Sequence, residues 1–432
     1  MATRLPVELM RTLDEKFVAD WVAFQTMRPT GGLIVEGAPY RRADGTIDRE
    51  AVLVLARHLV ANWPALRMRV RSMPLGITTP AWVAAEPELA WHVRFIDHVE
   101  PDDVALVLGG ERNGPLALDR PLWTLLVAGL PDGDVAFVPQ VQHALGDGIF
   151  ALRFIDQLTA DAPFDPSATP AADELAPPPG AMGILREAGA SWWRRQGGLG
   201  AAWREYTRKP FPRRLRRTGG RILRPRRLRR QQGMPLPHRH HAFRTLDLRE
   251  VKLAARAAGC SVHDLAVAAS LLAASRTDPA AETALLVPVS RRAGTTGDER
   301  NNISMTEVSL SPGSGRAEAV AQVGAQLGAF IAGDPDALAR PLSAPGYTSY
   351  LPWRVRPRYA GAALVREVVL WPVLDPRHPF AVFAGSYAST FSIAVSGAPD
   401  VDVESIAADM ARVVLGDDDP SAASDARAEV PA

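Results

Sequence analysis

The sequence predicts a mixed α/β protein, one large domain or two packed ones, and two observations mark out two α/β regions within it. Stretches of helical and of strand-like period alternate from the start of the chain to about residue 162, and again from about His241. Between them the composition breaks: Pro163, Pro166, Pro170 and the triplet Pro177-Pro178-Pro179 stand among few apolar residues. With 432 residues, 47% of them hydrophobic, the chain can bury a large core. The predicted organisation is an N-terminal subdomain over 1–162, a Pro/Arg-rich linker over 163–240 and a C-terminal subdomain over 241–416. A disordered tail is expected over 417–432, where the sequence is acidic and then low in large apolar groups.

In the first region, Asp48 to Asn62 carries Val52, Leu53, Leu55, Leu59 and Val60 at helical spacing. Val135 to Val141 reads as a strand and Ile149 to Leu158 as a helix, so two different periods meet within a few residues. In the linker, Met182 to Tyr206 is a candidate amphipathic segment with Trp192, Trp193 and Trp203, and ten arginines crowd between Arg213 and Arg230. In the second region, Leu246 to Ala258 reads as a helix ending at Gly259. Ser261-Val262-His263-Asp264 has the S-x-x-D form of a capping box before an apolar helix, Leu265 to Ala274. Strands are expected at Ala284–Val289, Ser304–Leu310, Leu364–Leu370 and Thr390–Val395.

Composition excludes several classes. Cys260 is the single cysteine, which removes a disulfide framework and any cysteine-based zinc cluster and fits a reducing cytoplasm. No metal is expected: the histidines are scattered except for His238, His240 and His241, read as solvated surface in an arginine-rich segment. The N-terminal residues lack a signal-peptide pattern, and no 18-residue charge-free apolar run follows. A net charge of +1 and the absence of any recognised module argue against nucleic acid as a partner. Only three of the 49 basic residues are lysine, none of them in a G-K-[ST] string, and neither G-x-S-x-G nor G-x-G-x-x-G occurs.

The stretch V-Q-H-A-L-G-D-G-I-F from Val141 to Phe150 carries the candidate chemistry. His143 stands just past a predicted strand, where a rigid element can hold an imidazole with a pKa near neutrality at a cleft. Asp147 could orient the loop through an ion pair, and Gly148 permits a tight turn or close approach. Alone, such a histidine is more often a satisfied structural residue.

Ordered segments around it change the weighting. Leu13-Asp14, Pro64-Ala65-Leu66-Arg67-Met68-Arg69, Pro74-Leu75-Gly76, Pro80-Ala81-Trp82-Val83, His92-Val93-Arg94 and Leu118-Asp119-Arg120-Pro121-Leu122-Trp123 precede QHALGDG. Val262-His263-Asp264-Leu265, Leu286 to Arg291 and Asn302-Ile303-Ser304 follow in order. The chain thereby resembles the bacterial wax ester synthase/acyl-CoA:diacylglycerol acyltransferase family, within the group that includes chloramphenicol acetyltransferase and peptide-synthetase condensation domains.

The resemblance implies two chloramphenicol-acetyltransferase-like subdomains, with mixed sheets flanked by helices and a tunnel between them. It implies an acyl-CoA-dependent O-acyltransferase in which His143 is the general base, with Gln142, Asp147 and Gly148 as motif support. His263, Asp264, Asn302 and Ser304 would lie near the active site, with Ser290 and Arg291 as substrate- or CoA-binding candidates. No cofactor is implied beyond acyl-CoA as substrate. Expected partners are acyl-CoA, a lipid alcohol and an anionic membrane or lipid-droplet surface that would meet the arginine run; the expected location is cytoplasmic, peripheral at the inner membrane face or at lipid inclusions.

Three positions depart from the family pattern: Gln142 replaces the first of two histidines, His263 replaces an asparagine, and Ser349-Tyr350-Leu351-Pro352-Trp353 replaces Asn-Val-Pro-Gly-Pro. Two other readings therefore remain: a related acyltransferase with a sugar, polyketide alcohol or amine acceptor, and a catalytically degenerate lipid-binding or interaction protein.

Overall fold

A computed structural model describes residues 5, 7–11, 14–73, 79–196, 211–276, 282–290, 301, 303–334, 338, 342–375 and 377–417. Leu13, Pro74 to Gly76, Trp203, Arg291, Asn302 and all of the expected tail but Asp417 lie outside the described residues. The chain divides into two compact units that are not contiguous in sequence. Unit 1 is Met1–Pro237, Gly294–Asn302 and Arg358–Arg366; unit 2 is His238–Ala293, Ile303–Pro357 and Glu367–Ala432. Residues 163–237, expected as a connection, thus group with unit 1.

Unit 1 is organised on a six-stranded sheet. Its order is Tyr359–Ala360, Ala363–Trp371 (four residues of which belong to this unit), Thr30–Val35, Val135–Val141, Trp123–Gly129 and Val93–Ile96. Val135–Val141 is buried at all seven positions, which suits its largely apolar composition; its one polar residue, Gln140, is satisfied by donating from Nε2 to Thr30 Oγ1 at 3.0 Å. It runs antiparallel to Trp123–Gly129 and Thr30–Val35. The helix Arg49–Asn62 packs Val52, Leu55, Leu59 and Val60 inward and is capped by Asp48, as its spacing predicts. A small sheet of Glu8–Leu9, Ala81–Ala84 and Met68–Arg71 completes the unit, with Met73, Ala81, Val83 and Ile184 clustered beside it.

The arginine run does not form irregular linker. Phe211–Gln231 is a 21-residue helix. Arg224 and Leu228, four residues apart and so on one face, are buried. Ile222, Leu223, Arg226, Arg229 and Arg230 are exposed. The Arg224 guanidinium pairs with Glu15, Arg227 donates to the Ala19 carbonyl, and Gln231 Oε1 accepts from Trp21 N at 3.2 Å.

Unit 2 also holds a six-stranded sheet, in the order Ile303–Leu310, Thr283–Ser290, Gly346–Pro352, Phe380–Tyr387, Thr390–Gly397 and His240–Asp247. Gly346–Pro352 pairs in parallel with both neighbours and the other pairs are antiparallel, giving a mixed sheet. The helices Val262–Ser275, Arg316–Ala332 and Val403–Leu415 bury an alanine-, valine- and leucine-rich core with it. Half of the expected capping box is present: Asp264 N donates to Ser261 Oγ at 3.0 Å, while the Asp264 carboxylate accepts from the Ser261 hydroxyl at 2.8 Å.

Two expectations require correction here. The helix expected from Leu246 starts at Leu248, because Asp247 ends a strand and caps the helix by accepting from Arg249 N at 2.6 Å. The trio His238, His240 and His241 is not wholly solvated linker: His240 and His241 begin that strand, and His241 Nδ1 is 2.9 Å from Ser396 Oγ.

Candidate active site around His143

The strand Val135–Val141 delivers His143, and pairing continues past the strand's end. Gln142 N donates to the Leu122 carbonyl at 2.9 Å and His143 N to the Met27 carbonyl at 2.8 Å. The backbone under the imidazole is therefore held from both sides. The following helix, Gly148–Leu158, is capped by Asp147, whose Oδ1 accepts from Phe150 N at 3.0 Å. Asp147, read from sequence as an ion-pairing group, thus acts first as a helix cap, and its charge also favours a protonated His143. Gly148 opens the helix without a left-handed backbone; the close approach lies at Gly146, where an added Cβ would sit 2.1 Å from the Phe150 ring.

Gln142 is fully buried, and its amide bridges two backbone groups. Nε2 donates to the Phe17 carbonyl at 2.6 Å, and Oε1 accepts from Ala144 N at 2.5 Å. An uncharged amide can serve both ends at once, one donating and one accepting, which gives this departure a physical reason. It fastens the 3-10 helix Asp14–Val18, whose Phe17 ring stacks on the imidazole with centroids 4.2 Å apart and planes at 13°. Lys16 Nζ lies 4.8 Å from the centroid of the Phe17 ring.

Asn301 joins this cluster. Its Nδ2 donates to the His143 carbonyl at 2.9 Å and to Asp14 Oδ1 at 3.0 Å, and its own carbonyl accepts from Arg11 at 3.1 Å. Burial pushes the His143 pKa below the ordinary imidazole value; Lys16 adds to this, while the residue's own carbonyl, Asp147 and Asn301 oppose it. A neutral imidazole near neutral pH has a lone pair with which to accept a proton.

The remaining candidates lie in unit 2. His263 Nδ1 is 3.2 Å from Asp264 Oδ1, and its ring meets Tyr350 edge-on at 6.3 Å. Two of the three departures from the family pattern are thus neighbours, and the Tyr350 hydroxyl is 2.9 Å from Ser386 Oγ. Ser349 to Pro352 form part of a sheet strand. Ser304 pairs with Val289, and exposed Ser290 with Ile303, on adjacent antiparallel strands. Arg291 and Asn302 fall outside the described residues; Asn301 and Phe17, which sequence reasoning did not single out, make the contacts to His143. Among the described residues no group of three or more His, Cys, Asp or Glu could hold a metal ion.

Residues 27–266 match the family described as "Wax ester synthase/diacylglycerol acyltransferase catalytic domain", a span that includes His143 and His263. The chain belongs to this family.

A Mycobacterium tuberculosis relative, provisionally named a diacylglycerol O-acyltransferase, is 36% identical over 105 residues, covering 23% of this chain and 22% of its own length. Another from that species, with a similar name, is 29% identical over 165 residues, covering 36% of this chain and 60% of its own. The matches thus span between about a fifth and three fifths of these relatives. Among solved structures, a wax ester synthase/diacylglycerol acyltransferase from Marinobacter aquaeolei VT8 superposes with a TM-score of 0.57 at 16% identity, covering 95% of this chain and 99% of that one. The first condensation domain of the CDA synthetase gives 0.58 at 16% identity, over 96% and 98%. The expected fold class of this family is thus present.

Proposed function

We propose that the protein is an acyl-CoA-dependent O-acyltransferase that moves a long-chain acyl group to a fatty alcohol or diacylglycerol, giving a wax ester or triacylglycerol. The observation that carries this reading is the setting of His143: an imidazole at a pinned strand end, stacked on Phe17, shifted towards its neutral form, in a chain of the wax ester synthase/diacylglycerol acyltransferase family. In the proposed reaction His143 takes the proton of the acceptor hydroxyl as its oxygen attacks the thioester carbonyl. The tetrahedral oxyanion collapses, the carbon–sulfur bond breaks, and the imidazolium returns its proton to the leaving thiolate. Every proton and electron pair is accounted for by the two substrates and one imidazole.

The Phe211–Gln231 helix supports a lipid surface as partner. It carries ten arginines and no acidic residue, and its exposed Ile222 and Leu223 stand beside Arg226, Arg229 and Arg230. Guanidinium groups attract anionic headgroups while aliphatic side chains enter the acyl boundary.

The test is thiol release from palmitoyl-CoA with hexadecanol or diacylglycerol offered separately. His143→Ala is expected to lower the rate about 10²–10⁴-fold. No CoA release with either alcohol, or an unchanged rate in His143→Ala, overturns the proposal.

A further inference from the structure

Two orphaned atoms in the His143 cluster point to one residue. His143 Nδ1 is buried with no hydrogen-bond partner, and so is Asn301 Oδ1. The orientation of the Asn301 amide is fixed by chemistry. Both groups its nitrogen meets, the His143 carbonyl and the Asp14 carboxylate, are acceptors, so Nδ2 must face them. The oxygen is then the end left over. Asp14 is itself buried at 2% exposure on the 3-10 helix that carries Phe17.

We propose that Asn301 is the positioning residue for His143: clamped by Nδ2 between Asp14 and the His143 carbonyl, it offers Oδ1 to the imidazole and selects the tautomer with its hydrogen on Nδ1. The Nε2 lone pair is then the one free to accept the substrate proton. The inference rests on the reading of His143 as general base. Its geometric part stands without that reading.

The electrostatics of the pocket agree in direction. The charged groups acting on the ring are Asp147 from its own loop, which favours protonation, and Lys16 from the 3-10 helix, which opposes it. Asp14 is joined to Asn301, and Glu15 is engaged by Arg224. The residue's own carbonyl favours protonation more strongly and is the competing acceptor; Asn301 favours it as well.

The experiment is nitrogen-15 NMR of the full-length protein labelled at histidine, with His143→Ala assigning the signal. The ring-nitrogen shifts report tautomer and titration together. Wild type is expected to show hydrogen on Nδ1. Asn301→Ala is expected to move His143 to a mixed-tautomer pattern and shift its titration down, whereas the near-isosteric Asn301→Asp shifts it up. Thiol-release kinetics should show kcat falling on the order of 10- to 100-fold in Asn301→Ala with KM changed less, as expected for a misaligned base. An unchanged tautomer and titration in both folded variants would assign the role to the His143 carbonyl and overturn the proposal. If the shifts move but wild type releases no CoA, the positioning role stands and the acyltransferase reading fails.

Discussion

Gln142→Met isolates the amide bridge that underlies the His143 cluster. Methionine keeps the length and nearly the volume of the side chain, so no large cavity opens. It removes both hydrogen bonds: the one to the Phe17 carbonyl at 2.6 Å and the one from Ala144 N at 2.5 Å. Gln142 is fully buried, so water cannot replace them. A buried backbone N–H deprived of its partner costs roughly 1–3 kcal/mol, and a weakened carbonyl contact about 1 more. The expected destabilisation is about 2–4 kcal/mol, read as a lower midpoint in urea unfolding followed by tryptophan fluorescence, since Trp82 and Trp123 are buried in the same unit. Activity should fall beyond the loss of folded protein, because the carbonyl released belongs to Phe17, which stacks on His143. A change below about 0.5 kcal/mol, the level of an ordinary surface substitution, would refute the bridge as a structural element.

His92 should make stability pH-dependent. Burial lowers its pKa to about 4 from 6.5, so the unfolded chain binds the proton more readily and stability falls as pH drops below 6.5. Between pH 7 and 5 the loss attributable to it is about 2 kcal/mol, and urea unfolding should show it missing from His92→Gln. Replacing the exposed Arg226, Arg229 and Arg230 with glutamine should abolish co-sedimentation with phosphatidylglycerol vesicles while leaving the melting temperature within a few degrees. Pelleting that survives the triple change would remove this helix as the lipid contact.

Sequence made the centre of the candidate site readable because its signal is local. A short, largely apolar strand-like run and a helix of period 3.6 meet at residues 142–147, and a turn between such elements is where a chemically active side chain can be held. The N-cap at Ser261 was readable for the same reason: its donor and acceptor lie three residues apart. The other half of the His143 surroundings carries no such trace. Gln142 reaches Phe17 over 125 residues and Asn301 reaches Asp14 over 287, and no periodicity links them. The burial inside the arginine run was not legible for a related reason. Arg224 is buried against Glu15, 209 positions earlier. Composition cannot register a countercharge that distant.

The 3-10 helix Asp14–Val18 has a bearing on how the protein is made. It contributes Phe17 to the imidazole and Asp14 to Asn301, so the beginning of the chain waits on a residue translated much later. At roughly 5–20 residues per second, the interval between synthesis of Asp14 and of Asn301 is tens of seconds, long compared with the collapse of the first unit's local elements. A nascent chain halted before residue 301 holds His143 on its strand but lacks Asn301. The base is thus framed only after Asn301 has been made and has reached the His143 carbonyl.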